Sequence, residues 1–149
     1  MFAGSLVALV TPMQPDGSID FDAWTRLLEF QIGNGSRGIV VAGSTGESAT
    51  VTDEELRELL VHARRTLGTR ALLVANAGTS STATSVERAR WVSGLDVDAL
   101  LVATPAYVKP TQSGLFQHFE AVAASSRVPV LLYNVPGRTA VDLLPATVA

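Results

Sequence analysis

The chain has 149 residues, 47% of them hydrophobic, no cysteine and a formal net charge of −3. That is enough for one globular core. It leaves no place for disulfides, thiolate catalysis or Cys-based zinc sites, and the lack of a basic run argues against a nucleic-acid or anionic-membrane partner. The first apolar run has no basic residue before it and breaks at Thr11-Pro12. At about seven residues it is too short for a signal peptide or a membrane span, so the expectation is a soluble, cytoplasmic protein.

Five short apolar runs predict strands at Ser5–Val10, Gly38–Ala42, Ala71–Ala75, Ala99–Ala103 and Val128–Tyr133. The later four hardly alternate with polar residues, as in parallel sheets covered by helices. Between them lie helical patterns. Asp20 is a candidate N-cap for a first helix whose Phe21, Trp24, Leu27 and Leu28 share a face, with Gly33 and Gly35 as stop signals. Thr52 and Glu55 have the spacing of a capping box, and Leu56, Leu59, Leu60, Ala63 and Leu67 then line one face before Gly68. A third helix is expected from about Ser81 to Ser93. A fourth starts near Thr111, with Leu115, Phe119, Val122 and Ala123 on one side. The order is βαβαβαβαβ with no low-complexity linker, so one α/β domain over residues 1–149 is expected. A doubly wound open sheet and part of a parallel barrel both fit this order.

In either architecture ligands sit beyond the C-terminal ends of the strands. Those ends read Thr11-Pro12, Gly43–Ser48, Asn76–Thr79, Thr104–Pro110 and Asn134–Thr139. Gly43–Ser48 can cradle a carboxylate or phosphate with backbone N–H groups and the Ser44 and Thr45 hydroxyls, or be an ordinary glycine-rich turn. It is neither a P-loop nor a dinucleotide fingerprint. Tyr133 can relay a proton at the mouth or simply pack. Arg138 offers a planar fork for a carboxylate or is a solvated charge. Tyr107, among prolines, is a projecting aromatic or a cap on a helix end. His62 and His118 have no partner at metal-ligand spacing and read as structural.

Four strings in register along the chain, GSLVALVTPM, GSTGESATVT, TPAYVKPTQSGLFQHF and LLYNVPGRTAVDLLPATV, resemble the pyruvate-dependent class I lyases and aldolases of the dihydrodipicolinate synthase and N-acetylneuraminate lyase group. The YNVPGRT string leans to the synthase branch of lysine biosynthesis, which condenses pyruvate with aspartate semialdehyde. The resemblance implies a (β/α)8 TIM barrel, of which this chain covers about the first five strands and four helices. It implies Ser44 and Thr45 under the pyruvate carboxylate, and Tyr133 as proton shuttle in a relay with Ser44 and Tyr107. It implies Arg138 on the carboxylate of the aldehyde, and Tyr107 reaching a neighbouring subunit in a homo-dimer or tetramer. No metal or organic cofactor is implied.

Three departures stand out. Ser44 occupies a position where the family usually has threonine. The family's Schiff-base lysine lies on the sixth strand, and Lys109, the only lysine in the 149 residues, does not align with it. The segment alone is therefore expected to be inactive. Leu56, Ser80, Thr84 and Ala106 replace the more polar or aromatic groups of lysine-inhibited members, so weak feedback by lysine is expected. A non-catalytic carboxylate binder or oligomerising fragment, and a sister lyase acting on a sugar acid, are the competing readings.

Overall fold

The computed structural model describes residues 2–149. The chain divides into two compact units, Met1–Asn76 with Leu95–Asp98, and Ala77–Gly94 with Ala99–Ala149.

In the first unit, strands β1 (Leu6–Ala8), β2 (Gly38–Val41) and β3 (Leu72–Asn76) are parallel and adjacent in chain order. This excludes any order in which β1 lies between β2 and β3. Val40 faces Ala8 on one side and Val74 on the other. Strand β1 is shorter than expected, although one further bond, from Leu9 N–H to the Val40 carbonyl at 3.2 Å, extends its contact with β2. All four residues of β2 are buried, as the continuous apolar run requires.

Helix α1 (Phe21–Gly33) begins where expected, with the Asp20 carboxylate accepting from Ala23 N–H at 2.8 Å. Helix α2 (Asp53–Leu67) carries the complete Thr52–Glu55 capping box and ends at Gly68, which has φ +54. Its stripe of Leu56, Leu59, Leu60, Ala63 and Leu67 is fully sequestered with Trp24 and Leu28 of α1. Each buried leucine contributes on the order of 1.5–3 kcal/mol. His62 stands between the two helices, 2.7 Å from Thr25 Oγ1 and with its ring 5.1 Å from that of Phe21.

In the second unit, β4 (Ala99–Ala103) and β5 (Val130–Tyr133) are parallel, and α3 (Thr82–Val92) packs on α4 (Gln112–Ser125). Ser81 and Thr111 cap these helices through their hydroxyls. His118 of α4 is buried, with Nδ1 2.9 Å from Thr82 Oγ1 and Nε2 without a hydrogen-bond partner. Burial pushes this imidazole's pKa down.

The apolar pattern of β5 predicts a strand covered on both faces, yet Leu132 is 39% exposed. Two single-turn helices come after it within the described residues, α5 (Pro136–Thr139) and α6 (Pro145–Val148). Among the described residues no helix is long and apolar enough to cross a membrane.

Candidate functional site

In the first unit, the segment after β2 is folded tightly on itself. Ala42 is buried at φ +49, Gly43 is extended, Ser44–Gly46 form one turn of 3-10 helix, and Glu47 closes it in the left-handed region at φ +59. The Gly43 carbonyl accepts from Gly46 N–H at 3.0 Å and from Ser48 N–H at 3.2 Å. The turn's own bonds thus use the N–H groups of Gly46, Glu47 and Ser48. The first N–H groups of such a turn, those of Ser44 and Thr45, have no place in its ladder. Thr11, at the end of β1, donates its buried hydroxyl to the Gly46 carbonyl at 2.8 Å. The glycine is required here: a Cβ on Gly46 would stand 2.8 Å from the Leu9 carbonyl oxygen. Anchored from below, the turn leaves Ser44 half-buried and Thr45 exposed. Two non-glycine residues with positive φ flank these hydroxyls, a form of backbone strain that accumulates at ligand sites.

In the second unit, the segment after β4 carries Tyr107 at φ +72, with Val108 N–H bonded back to the Ala106 carbonyl at 2.9 Å. This three-residue turn belongs to the rare, strained hand. Ser80 Oγ donates to the same carbonyl at 2.9 Å. The ring consequently projects outward, 91% exposed. Lys109 follows at φ +47, also exposed.

After β5, Tyr133 is half-buried and Arg138 stands exposed on α5. Arg138 forms no salt bridge among the described residues. Asn134 braces the segment, donating to Asp142 Oδ1 at 2.7 Å and accepting from Leu143 N–H at 3.1 Å. Buried Thr104, just past β4, donates its hydroxyl to buried Thr139 at 2.9 Å.

The five residues singled out by sequence therefore sit in two groups, Ser44 and Thr45 in the first unit and Tyr107, Tyr133 and Arg138 in the second. All five lie at or just past the C-terminal end of a strand. The supporting threonines, Thr11, Thr104 and Thr139, have roles that sequence reasoning missed. Their one local signal is a hydroxyl placed next to the end of an apolar run. Neither histidine lies in these segments.

A pocket of about 560 Å³ opens in the first unit at the opposite, N-terminal ends of the strands, lined by Arg37, Arg64, Arg70, Asp96 and Asp98 among others. Its charges are largely spent internally. Arg64 pairs with Asp98 at 2.6 Å, and Arg70 pairs with Glu29, also at 2.6 Å. It has no part in the strand-end arrangement.

Parallel strands with chemistry-bearing residues at their C-terminal ends define the α/β barrel class of enzyme scaffold. The match to the family model is complete in extent: the dihydrodipicolinate synthetase family covers residues 1–149, and the chain belongs to that family. It is 50% identical over 147 residues to the 4-hydroxy-tetrahydrodipicolinate synthase of Xanthomonas campestris pv. campestris, covering 99% of this chain and 49% of that protein. Among solved structures, it is similar to the synthase of the methanotroph Methylacidiphilum fumariolicum SolV, with 40% identity, a TM-score of 0.95, and coverage of 99% of this chain and 49% of the other. It is also similar to the dihydrodipicolinate synthase from Acinetobacter baumannii solved in complex with pyruvate. There the identity is 42% and the TM-score 0.94, with coverage of 97% of this chain and 50% of the other. The chain spans about half the length of these relatives and matches their N-terminal half. The fold is thus that of a parallel (β/α)8-barrel family, and the doubly wound alternative is set aside.

Proposed function

We propose that the protein carrying this chain condenses pyruvate, held as a Schiff base, with aspartate semialdehyde in lysine biosynthesis. The observation that carries this reading is the Gly43–Glu47 turn, which presents free N–H groups and the Ser44 and Thr45 hydroxyls on a rigid support. Such a cradle suits the planar carboxylate of a small keto acid. A pyruvate complex of the A. baumannii relative supports that choice of ligand.

In this reading Ser44 and Thr45 hold the pyruvate carboxylate. Tyr133 moves protons to and from the imine nitrogen and the reacting carbons, in relay with Ser44 and Tyr107. Arg138, which forms no ion pair among the described residues, takes the carboxylate of the aldehyde through its two-pronged fork. Tyr107 on its strained turn reaches a neighbouring subunit, which makes the working form a homo-dimer or tetramer. The partners are the two small molecules, with no nucleic acid, membrane or cofactor involved, and the setting is the cytoplasm. Lys109 is exposed and freely hydrated, whereas an imine-forming lysine needs a dry pocket that depresses its pKa. The reading therefore takes that lysine from the part of the relatives' length that this chain does not span, and expects the segment alone to be inactive. Weak feedback by lysine accompanies it. Leu56 is buried in the α2 core and has no polar group to offer a ligand, and the Ser80 hydroxyl has its one proton committed to the Ala106 carbonyl.

Pyruvate and borohydride, followed by intact-mass measurement, test the scheme. The 149-residue segment is expected to gain no mass, and the protein at the length of its relatives to gain one reduced pyruvate adduct. Arg138→Ala in the longer protein is expected to raise KM for aspartate semialdehyde about tenfold or more while sparing the adduct. An adduct on Lys109 would falsify the assignment of the nucleophile. Preference for a sugar-acid aldehyde in a competition assay would transfer the protein to the sister lyases.

A further inference from the structure

Thr104 is 1% exposed and Thr139 3% exposed, and a buried hydroxyl without a partner is costly. Thr104 Oγ1 donates to Thr139 Oγ1 at 2.9 Å. The Thr139 hydroxyl then has its own proton for a carbonyl flanking the turn, with Val141 at 3.1 Å and Val135 at 3.3 Å. Thr139 is the one buried residue of α5, and Arg138 precedes it directly. The turn's other bonds among the described residues are its own backbone ones, from Arg138 and Thr139 N–H to the Val135 carbonyl and from Ala140 N–H to that of Pro136, while Asn134 and Gln112 fasten the stretch beyond it through Asp142 and Leu143. The turn ends on Ala140 at φ +59. A four-residue turn of this kind is marginal by itself and takes its orientation from whatever anchors it. The backbone N–H of Thr104 meanwhile donates to the Tyr133 carbonyl at 3.1 Å.

One residue is thus bonded to both groups, through its backbone to Tyr133 and through its side chain to the turn that carries Arg138. We propose that Thr104 is a positioning residue that sets the Arg138 fork relative to Tyr133, and so fixes where the carboxylate of the second substrate is held. The proposal rests on the assignment of Arg138 to that carboxylate. Thr104→Val keeps the shape and the backbone bond and removes only the hydroxyl. A turn freed to shift by an ångström loses aim rather than charge.

The experiment uses the protein carrying this chain at full length, with steady-state kinetics in both substrates. Thr104→Val is expected to raise KM for aspartate semialdehyde about tenfold, with kcat within about threefold and the borohydride-trapped pyruvate adduct unchanged. Thr104→Ser, which retains the hydroxyl, is expected to return KM to within about twofold. In an Arg138→Ala background Thr104→Val is expected to change KM no further, because the group it aims is gone. A merely structural role would instead lower kcat and raise both KM values, whatever stands at 138. If Thr104→Val does not fold, Thr139→Val breaks the same hydroxyl pair from the other side and decides the matter. An unchanged KM in either folded valine variant, or a loss that adds in full to that of Arg138→Ala, overturns the positioning role. If Arg138→Ala itself leaves KM unchanged, it is the assignment of Arg138 that has failed, and the proposal falls with it.

Discussion

A Cβ on Gly46 would sit 2.8 Å from a backbone oxygen of β1 and 3.2 Å from Thr11 Oγ1, so neither neighbour can yield cheaply. Gly46→Ala is expected to destabilise the fold by about 1–3 kcal/mol, as overpacked sites do, and to reduce pyruvate trapping in the longer protein by displacing the turn. Thermal melts beside the borohydride assay check both effects. Gly33→Ala serves as the control, since its Cβ would meet nothing within 4 Å and alanine is the better helix former. At this scale much of the candidate site was legible. Gly43 and Gly46 read as a turn that lets the backbone approach a ligand, or as an ordinary turn, and not as the close packing against β1 that Gly46 makes; Tyr107 among prolines read as a projecting ring or a helix cap, and it projects. The left-handed geometry of Ala42 and Glu47 was not legible, because neither residue type advertises positive φ. Nor was the Thr104–Thr139 pair, whose members lie 35 residues apart and announce nothing locally.

Elements whose start signals are local were readable, and their energetics follow from the same residues. In α2, Thr52 N–H donates to Glu55 Oε2 at 2.8 Å while the Thr52 hydroxyl accepts from Glu55 N–H at 3.2 Å. Thr52→Ala is expected to cost about 1 kcal/mol, read as a lower urea midpoint with unchanged slope, and Thr52→Ser to recover most of it. Helices α1, α3 and α4 began at Asp20, Ser81 and Thr111 for the same reason: a short polar side chain precedes a periodic apolar face. The two single turns at Ser44–Gly46 and Pro136–Thr139 escaped, being shorter than one hydrophobic period. The exposure of Leu132 escaped too.

For the whole molecule, the βα repeat carried the α/β class without distinguishing a barrel from an open sheet, because that distinction lies in which strands become neighbours. The four motif strings pointed to the barrel family, and the similarity to solved synthases bears that out. Stability as a global property has a pH signature of its own. Burial holds His118 below the ordinary imidazole value of 6.5; His62 is shifted the same way, by desolvation first and Arg65 second, against a smaller opposing effect of Asp22. The unfolded chain therefore binds protons that the folded one refuses. This contribution is fully present above about pH 6.5 and is lost as pH falls below it. The melting temperature is expected to drop between about pH 7.5 and 5.5, and less steeply in His118→Asn; equal slopes in the two proteins would remove His118 as the source. The Tyr107–Lys109 loop has a use at the bench as well. Within these 149 residues Lys109 is the sole side-chain amine, exposed two positions from Tyr107 on a backbone held in a strained turn. With the α-amino group blocked first near neutral pH, where it is the more reactive amine, an amine-reactive dye has one address left in the segment, and its emission would report on whether that loop is free in solution or clasped by another molecule.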